Sequence, residues 1–297
     1  MRVVAAIGWI ACGVAVALAL PTIEEDRAPV TRHALWKIED GRKPVYLLGS
    51  IHVLRRQNYP LERPIEDAFD EARVIAFELD LDEARKAAAR PRHAAARVSK
   101  PPPTLRNQVS PDTYKSVVRY LEEGGYPGTV FDQFSAPFVA NALVQMELSK
   151  LGFDPQWGVD AYFYRRAQKY GKTIVALETV DQQIETLEEL TERGSNELVQ
   201  AALQDVAALR TGLRDLIRAW KGGEIERLVA LVNGSFDARP EVYQRVLVER
   251  NARWVPQIEA LMAGDVPALV IVGTGHLVGS ESVIAMLEAK GHVVRQQ

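Results

Sequence analysis

The sequence predicts an α/β fold, with a central mixed β-sheet, flanking helices and a large helical insertion. Two observations carry the prediction. Short runs that are apolar and β-branched or aromatic, at 45–48, 73–77, 172–177 and 268–272, alternate with helical patterns, as in layered α/β proteins. Asp40-Gly41 lies between runs 34–38 and 45–48 and signals a hairpin, so the sheet begins antiparallel and is mixed.

Residues 61–72 read as a helix with Ile65, Ala68, Phe69 and Ala72 on one face, before strand 73–77 delivers Glu78-Leu79-Asp80. Residues 82–98 are Ala- and Arg-rich and helical in pattern, with Arg85, Lys86, Arg90, Arg92, His93 and Arg97 on a solvated face. Lys100-Pro101-Pro102-Pro103 then stops any helix. Helical patterns fill 111–151 with a break at Gly124-Gly125, and the apolar part 134–151 is expected to pack under the sheet or cover a cleft. Gly158-Val159-Asp160 opens a helix that Gly171 closes, and strand 172–177 ends in Glu178. From 180 to 262 the pattern is helical with breaks at Gly194-Ser195, Gly222-Gly223 and Asn233-Gly234. A strand at 268–272, a helix at 280–290 and a strand at 292–294 complete the chain.

With 297 residues, 47% of them hydrophobic, the chain can bury a large core without disulfides. A formal net charge of −3, with no zinc-finger spacing or aromatic RNA-binding motif, argues against nucleic acid as a partner. Met1-Arg2, an apolar stretch at 3–20 and the polar, acidic residues 21–26 read as an export signal, with a small-x-small site at Ala17-Leu18-Ala19. The same stretch is long enough for a retained membrane anchor. The expected location is therefore periplasmic or secreted, with anchoring through the N-terminal segment as the alternative and residues 30–297 as the folded domain. The single cysteine, Cys12, falls in that stretch, which excludes cysteine catalysis and cysteine metal ligands in the domain.

The chemistry-bearing signal is a repeated motif. Gly49-Ser50-Ile51-His52 and Gly273-Thr274-Gly275-His276 each follow a buried-strand pattern, where glycine allows a sharp turn and loops collect ligands. On adjacent strands the two histidines would meet. Strand ends thus supply His52, Glu78, Glu178 and His276, a set able to hold a divalent metal with a position open for water. Arg250, followed by Asn251, is a candidate to stabilise an oxyanion. Asp160 reads as a first-turn helix acid, and His33 and His292 as structural or exposed. The chain contains no His-Glu-x-x-His, Gly-x-Ser-x-Gly or phosphate-loop signature, and Gly273, Gly275 and Gly279 lack dinucleotide-fingerprint spacing.

These residues, with Leu35-Trp36-Lys37-Ile38, Phe77-Glu78-Leu79-Asp80, Leu177-Glu178-Thr179 and Arg250-Asn251, resemble the TraB/GumN family over residues 34–295. That family also includes the pheromone-shutdown protein PrgY and is related to the Tiki metalloproteases. The resemblance implies a Tiki-like scaffold, distantly similar to the erythromycin esterase and ChaN-like group. It implies a manganese or cobalt ion, with zinc as a further candidate, on His52, Glu78 and His276. It also implies hydrolysis of a peptide or protein substrate by metal-activated water, with Glu178 as general base or second carboxylate and Arg250-Asn251 positioning substrate or oxyanion. The alternative expectation is a non-catalytic envelope accessory protein that binds a ligand or haem, in exopolysaccharide or signalling systems. Trp254 stands where a smaller apolar residue is expected in the family.

Overall fold

The computed structural model describes residues 32–89, 104–192, 194–234, 236 and 240–297. The expected signal segment 1–20 and the residues Arg90, Arg92, His93, Arg97 and 100–103 lie outside the described residues. No helix among the described residues is long and apolar enough to cross a membrane.

Strands β1 (Leu35–Ile38) and β2 (Val45–Ser50) pair antiparallel around Asp40-Gly41, as the hairpin signal requires. Helix α1 (Arg63–Glu71) buries Ile65, Ala68 and Phe69, and β3 (Val74–Phe77) follows it. Next come α2 (Leu81–Ala89), the short α3 (Leu105–Gln108), α4 (Pro111–Glu123) and α5 (Ala136–Lys150). Ser110 caps α4 by accepting the Thr113 N–H (3.2 Å), with Pro111 in the first turn where its missing donor costs nothing. Helix α6 (Val159–Lys169) leads to β4 (Thr173–Ala176) through Gly171, whose φ of +64° suits glycine.

The insertion between β4 and the next strand comprises α7 (Val180–Glu192), α8 (Ser195–Lys221), α9 (Ile225–Asn233), α10 (Pro240–Tyr243), a π turn at Gln244–Val248 and α11 (Glu249–Met262). Its breaks fall at the glycines that predicted them. β5 (Ala268–Gly273), α12 (Val283–Ala289) and β6 (Val294–Gln296) end the fold.

The six-stranded sheet has the order β4-β3-β5-β2-β1-β6, and β4, β3, β5 and β2 are mutually parallel. β1 runs antiparallel to both β2 and β6, so the sheet is mixed. β5 is buried along its whole length, as a central parallel strand must be. One expectation is corrected. Helix α5 does not pack chiefly under the sheet: Val139, Ala140 and Leu143 join Val117 and Leu121 of α4 and Val199 and Val206 of α8 in a second core, and only the second half of α5, through Val144 and Leu148, reaches the sheet core. The apolar run found its partners in α4 and in α8, the long helix of the insertion. The last helix also starts later than expected, because Ser282 is its cap and accepts the Ala285 N–H.

Candidate functional site

The topology explains the site. β2 and β5 are parallel neighbours with Ser50 opposite Gly273, so the two Gly-x-x-His turns leave the same edge side by side. They are packed closely: a Cβ on Gly49 would stand 2.9 Å from Thr274 Oγ1, and that hydroxyl donates to the Ser50 carbonyl (2.9 Å). β3 places Glu78 at the same edge, and β4 places Glu178 two residues beyond its end. Four adjacent parallel strands therefore present Glu178, Glu78, His276 and His52 in a row, the position where open α/β sheets build sites.

The side chains converge on Glu78. Its Oε1 lies 4.0 Å from His52 Nε2 and 3.9 Å from His276 Nε2, and it accepts the Gly273 backbone N–H at 2.7 Å. Each imidazole is oriented from behind. His52 Nδ1 donates to Asp160 Oδ2 (2.7 Å), and His276 Nδ1 donates to Asn251 Oδ1 (2.6 Å). Asn251 is itself fixed, because its Nδ2 donates to the Glu281 carbonyl. Both rings thus turn Nε2 toward the same carboxylate oxygen, the arrangement in which a second group sets the tautomer of a metal-binding histidine.

Arg250, buried in α11 just after the π turn, ties the acids together. Its Nη2 donates to Glu78 Oε2 (2.6 Å) and Glu178 Oε1 (2.6 Å), its Nε to Glu178 Oε2 (3.0 Å), and its Nη1 to the Val246 carbonyl and His276 Nε2 (both 3.1 Å). Trp254, one turn on, is fully buried against the His276 ring (centroids 4.4 Å apart) and beneath the Arg250 guanidinium (4.7 Å). The larger residue at this position forms the wall behind the site.

Electrostatics follow from these contacts. Burial would raise the Glu78 carboxyl, but Arg250, the imidazoles and the Gly273 N–H hold it well below the usual carboxylate range. Burial pushes Glu178 up, against the opposing pull of Arg250. Burial and the Arg250 charge lower His276 to about 3, so it is neutral and its Nε2 accepts from Arg250 Nη1. For His52, burial is overridden by Asp160 and the imidazole is raised to about 9. His52 is also the open member of the set, with 33% of its side chain exposed against 4% for His276.

Two imidazoles and a carboxylate are donors of the type that hold a divalent metal. Two donors held tetrahedrally at ~2.1 Å from an ion stand roughly 3.4 Å apart, about half an ångström closer than the separations seen here. The space between the donors is kept by Gly273: a Cβ there would lie 3.2 Å from both Glu78 Oε1 and His52 Nε2. Among the described residues no group of three or more His, Cys, Asp or Glu is already set to hold an ion. Arg250 Nη1 occupies the His276 lone pair, which ligation would require to be freed.

All six residues singled out in the sequence meet in this cluster, Asn251 through its contact with His276. Asp160 is the first-turn acid of α6 that the sequence indicates, and the structure also sets it against His52, a contact the sequence does not show. The Gly158-Val159-Asp160 turn permits that contact, because a Cβ on Gly158 would overlap the His52 carbonyl and Val159 N–H donates to the Ile51 carbonyl. His33 is buried beside the first strand, and His292 bridges Asp40 and Glu259, outside the cluster.

The TraB/PrgY/gumN family profile matches residues 34–296. "Uncharacterized protein YbaP" of Escherichia coli (strain K12) is 22% identical over 259 residues, covering 86% of this chain and 93% of that protein. The protein of the same name from Shigella flexneri matches to the same extent. No solved structure matches the chain.

Proposed function

Since the chain belongs to the TraB/PrgY/gumN family, we propose that it is an exported metal-dependent hydrolase, peptidase-like in its chemistry, centred on the strand-end cluster. The observation that carries this reading is the convergence of two oriented imidazole Nε2 atoms and one carboxylate oxygen around the space that Gly273 keeps open.

His52, Glu78 and His276 would hold a divalent ion, manganese or cobalt first and zinc next. Bound there, such an ion would supply Lewis acidity and lower the pKa of water toward neutrality. The chain's own residues do the rest. Asp160 and Asn251 fix Nδ1 as the donor of each ring, so that Nε2 of each faces the cluster and would be free to ligate once His52 gives up its extra proton. Arg250 presents a buried, permanently charged donor beside the cluster, where negative charge developing on a carbonyl oxygen would be stabilised. Glu178 acts as the second carboxylate. Because both its oxygens accept from Arg250, its role here is to position that guanidinium. Asn251, with both amide ends engaged, orients His276 and does not itself reach substrate. The substrate class proposed is a peptide or protein outside the cytoplasm, and the export step rests on the apolar stretch 3–20.

The test is elemental analysis of the purified protein and of a His52→Ala/His276→Ala variant whose fold is checked by circular dichroism. Stoichiometric manganese, cobalt or zinc that disappears in the folded variant supports the reading and justifies a peptide-library assay with that metal. A protein that takes up none of these ions when they are supplied overturns it. A Soret band in that preparation would favour the haem-binding accessory reading instead.

A further inference from the structure

The segment that carries His52 continues into a second feature. From His52 the chain runs to Arg55, a span of three residues and so at most about 11 Å between Cα atoms, before the short turn Arg56–Asn58. This stretch is laced to the segment ahead of α6: Leu54 and Asp154 form an antiparallel bridge, and Arg55 Nη2 donates to the Leu151 carbonyl (2.6 Å). Where these segments meet α8 there is a cleft of about 190 Å³, lined by Arg55, Gln57, Asn58, Phe153, Arg214 and Ile217.

The lining is chemically one-sided. It contains two guanidinium groups and no carboxylate. Arg55 lies over the Phe153 ring, its carbon 4.3 Å from the centroid, and its Nε is buried without a hydrogen-bond partner. Arg214 makes no hydrogen bond or ion pair among the described residues. The other arginines that hold the fold together are paired: Arg166 with Glu66, Arg210 with Glu147, and Arg250 with Glu78 and Glu178. A buried donor left unpaired on a charged group is costly, and such exceptions call for an unseen partner. Asn58 uses its Oδ1 to accept the Arg55 backbone N–H, which leaves its amide NH₂ as a further donor. Phe153 and Ile217 supply apolar surface beside these donors.

We propose that this cleft binds a ligand bearing an oxyanion, carboxylate or phosphate, next to an apolar group. The guanidinium groups of Arg55 and Arg214 take the charge, and Phe153 and Ile217 take the apolar part. Its use as the subsite for the acidic end of a substrate rests on the hydrolase reading above, because the same loop carries His52. The binding itself is measured without turnover.

The experiment is calorimetric titration of the purified protein with N-acetylphenylalanine, its neutral twin N-acetylphenylalaninamide, and phenyl phosphate. The anionic probes should bind at least roughly tenfold more tightly than the amide, and the advantage should shrink as salt is raised. Arg214→Gln, an exposed change that leaves the fold alone, should remove about tenfold of that affinity, and Arg55→Gln should remove at least as much. Preference for N-acetylphenylalanine over phenyl phosphate assigns the site to a peptide C-terminus, and the reverse preference assigns it to a phosphate ester. Binding should persist in the His52→Ala/His276→Ala variant, which separates this proposal from the metal reading. Equal binding of all three probes, no binding of any, or affinity unchanged by Arg214→Gln overturns the proposal.

Discussion

Replacing Arg250 by methionine keeps most of the side-chain volume and removes the one cation among the described residues that touches both Glu78 and Glu178. Three of its hydrogen bonds go to carboxylates, at 2.6, 2.6 and 3.0 Å. Counted singly at about 1.5–3 kcal/mol each, they would sum to well over 4 kcal/mol. They are not independent, because the stranded acids respond by taking up protons. The better guide is the cost of breaking one partner out of a buried ion pair, about 3–5 kcal/mol, and that is the expected loss at pH 7 in metal-free protein. The pH dependence gives the sharper test. Without Arg250 the two buried acids have folded-state pKa values raised above their unfolded values, so the folded variant binds protons first and gains stability as pH falls toward the unfolded carboxylate range. In the wild type Glu78 is held low, so acid costs it stability once pH drops below the ordinary value of 4.5. The gap between the two proteins must therefore narrow on acidification. Urea denaturation of both, with chelator present, from pH 8 to pH 4 measures it. A loss below about 1 kcal/mol at pH 7, or a gap that widens in acid, would refute the view that Arg250 neutralises this pair.

Gly273→Ala puts a methyl 3.2 Å from both Glu78 Oε1 and His52 Nε2, so calorimetric affinity for manganese or cobalt should fall at least about tenfold while the urea midpoint moves little; unchanged affinity would remove Gly273 from the site. Asp160→Asn should lower the His52 pKa, followed by NMR in metal-free protein, from about 9, because the largest contribution opposing burial is removed and only that of Glu78 remains. The same change should weaken metal binding roughly 10–100-fold, and an unmoved titration would show that Asp160 does not hold the ring. The two imidazoles also set a stability optimum for the metal-free protein. His276, with its folded pKa lowered to about 3, costs stability as pH falls from 6.5 toward 3, because the unfolded chain takes the proton. His52, raised to about 9, contributes fully below 6.5 and loses that contribution as pH rises through 9. Thermal denaturation across pH should therefore peak near 6.5, and a monotonic curve through that region would contradict these assignments.

Much of the site was legible because it is written in local signals. A glycine turn after a β-branched run identifies a parallel strand end, and Gly49 and Gly273 each carry that pattern, while Glu78 is marked by the apolar run Val74–Phe77 directly before it; the sheet order makes the three ends neighbours. What could not be read were contacts fixed by packing at long range. Asp160 has the sequence context of any first-turn acid, and its role appears only when Gly158 lets α6 close onto the His52 carbonyl. Helix α5 failed as a sheet-packing element because its apolar residues point to nearly all sides, so periodicity did not say which partner it would choose; α8 supplied that surface. The cleft at Arg55 likewise depends on α8, whose Arg214 lies far along the chain from the His52 loop.

The charges around the cluster bear on which cation would suit it. Asp160, Glu78 and Glu178 bring three negative charges, and Arg250 brings one positive charge. With both imidazoles neutral the set keeps two negative charges in excess, most of it shielded from water by Trp254 and the sheet edge. The metal-free protein relieves part of this excess by keeping a proton on His52, whose elevated pKa is thus a measure of the unmet charge. A monovalent ion would relieve no more than that proton does. A divalent ion would neutralise the set while releasing the proton, and both effects favour it over sodium or potassium in the same space. Arg250 alone cannot play this part, because its single charge is already divided between two carboxylates. The guanidinium is better understood as the fixed counter-charge that lets Glu78 remain ionised next to Glu178, and so available as a ligand, in a place where two buried acids would otherwise share a proton.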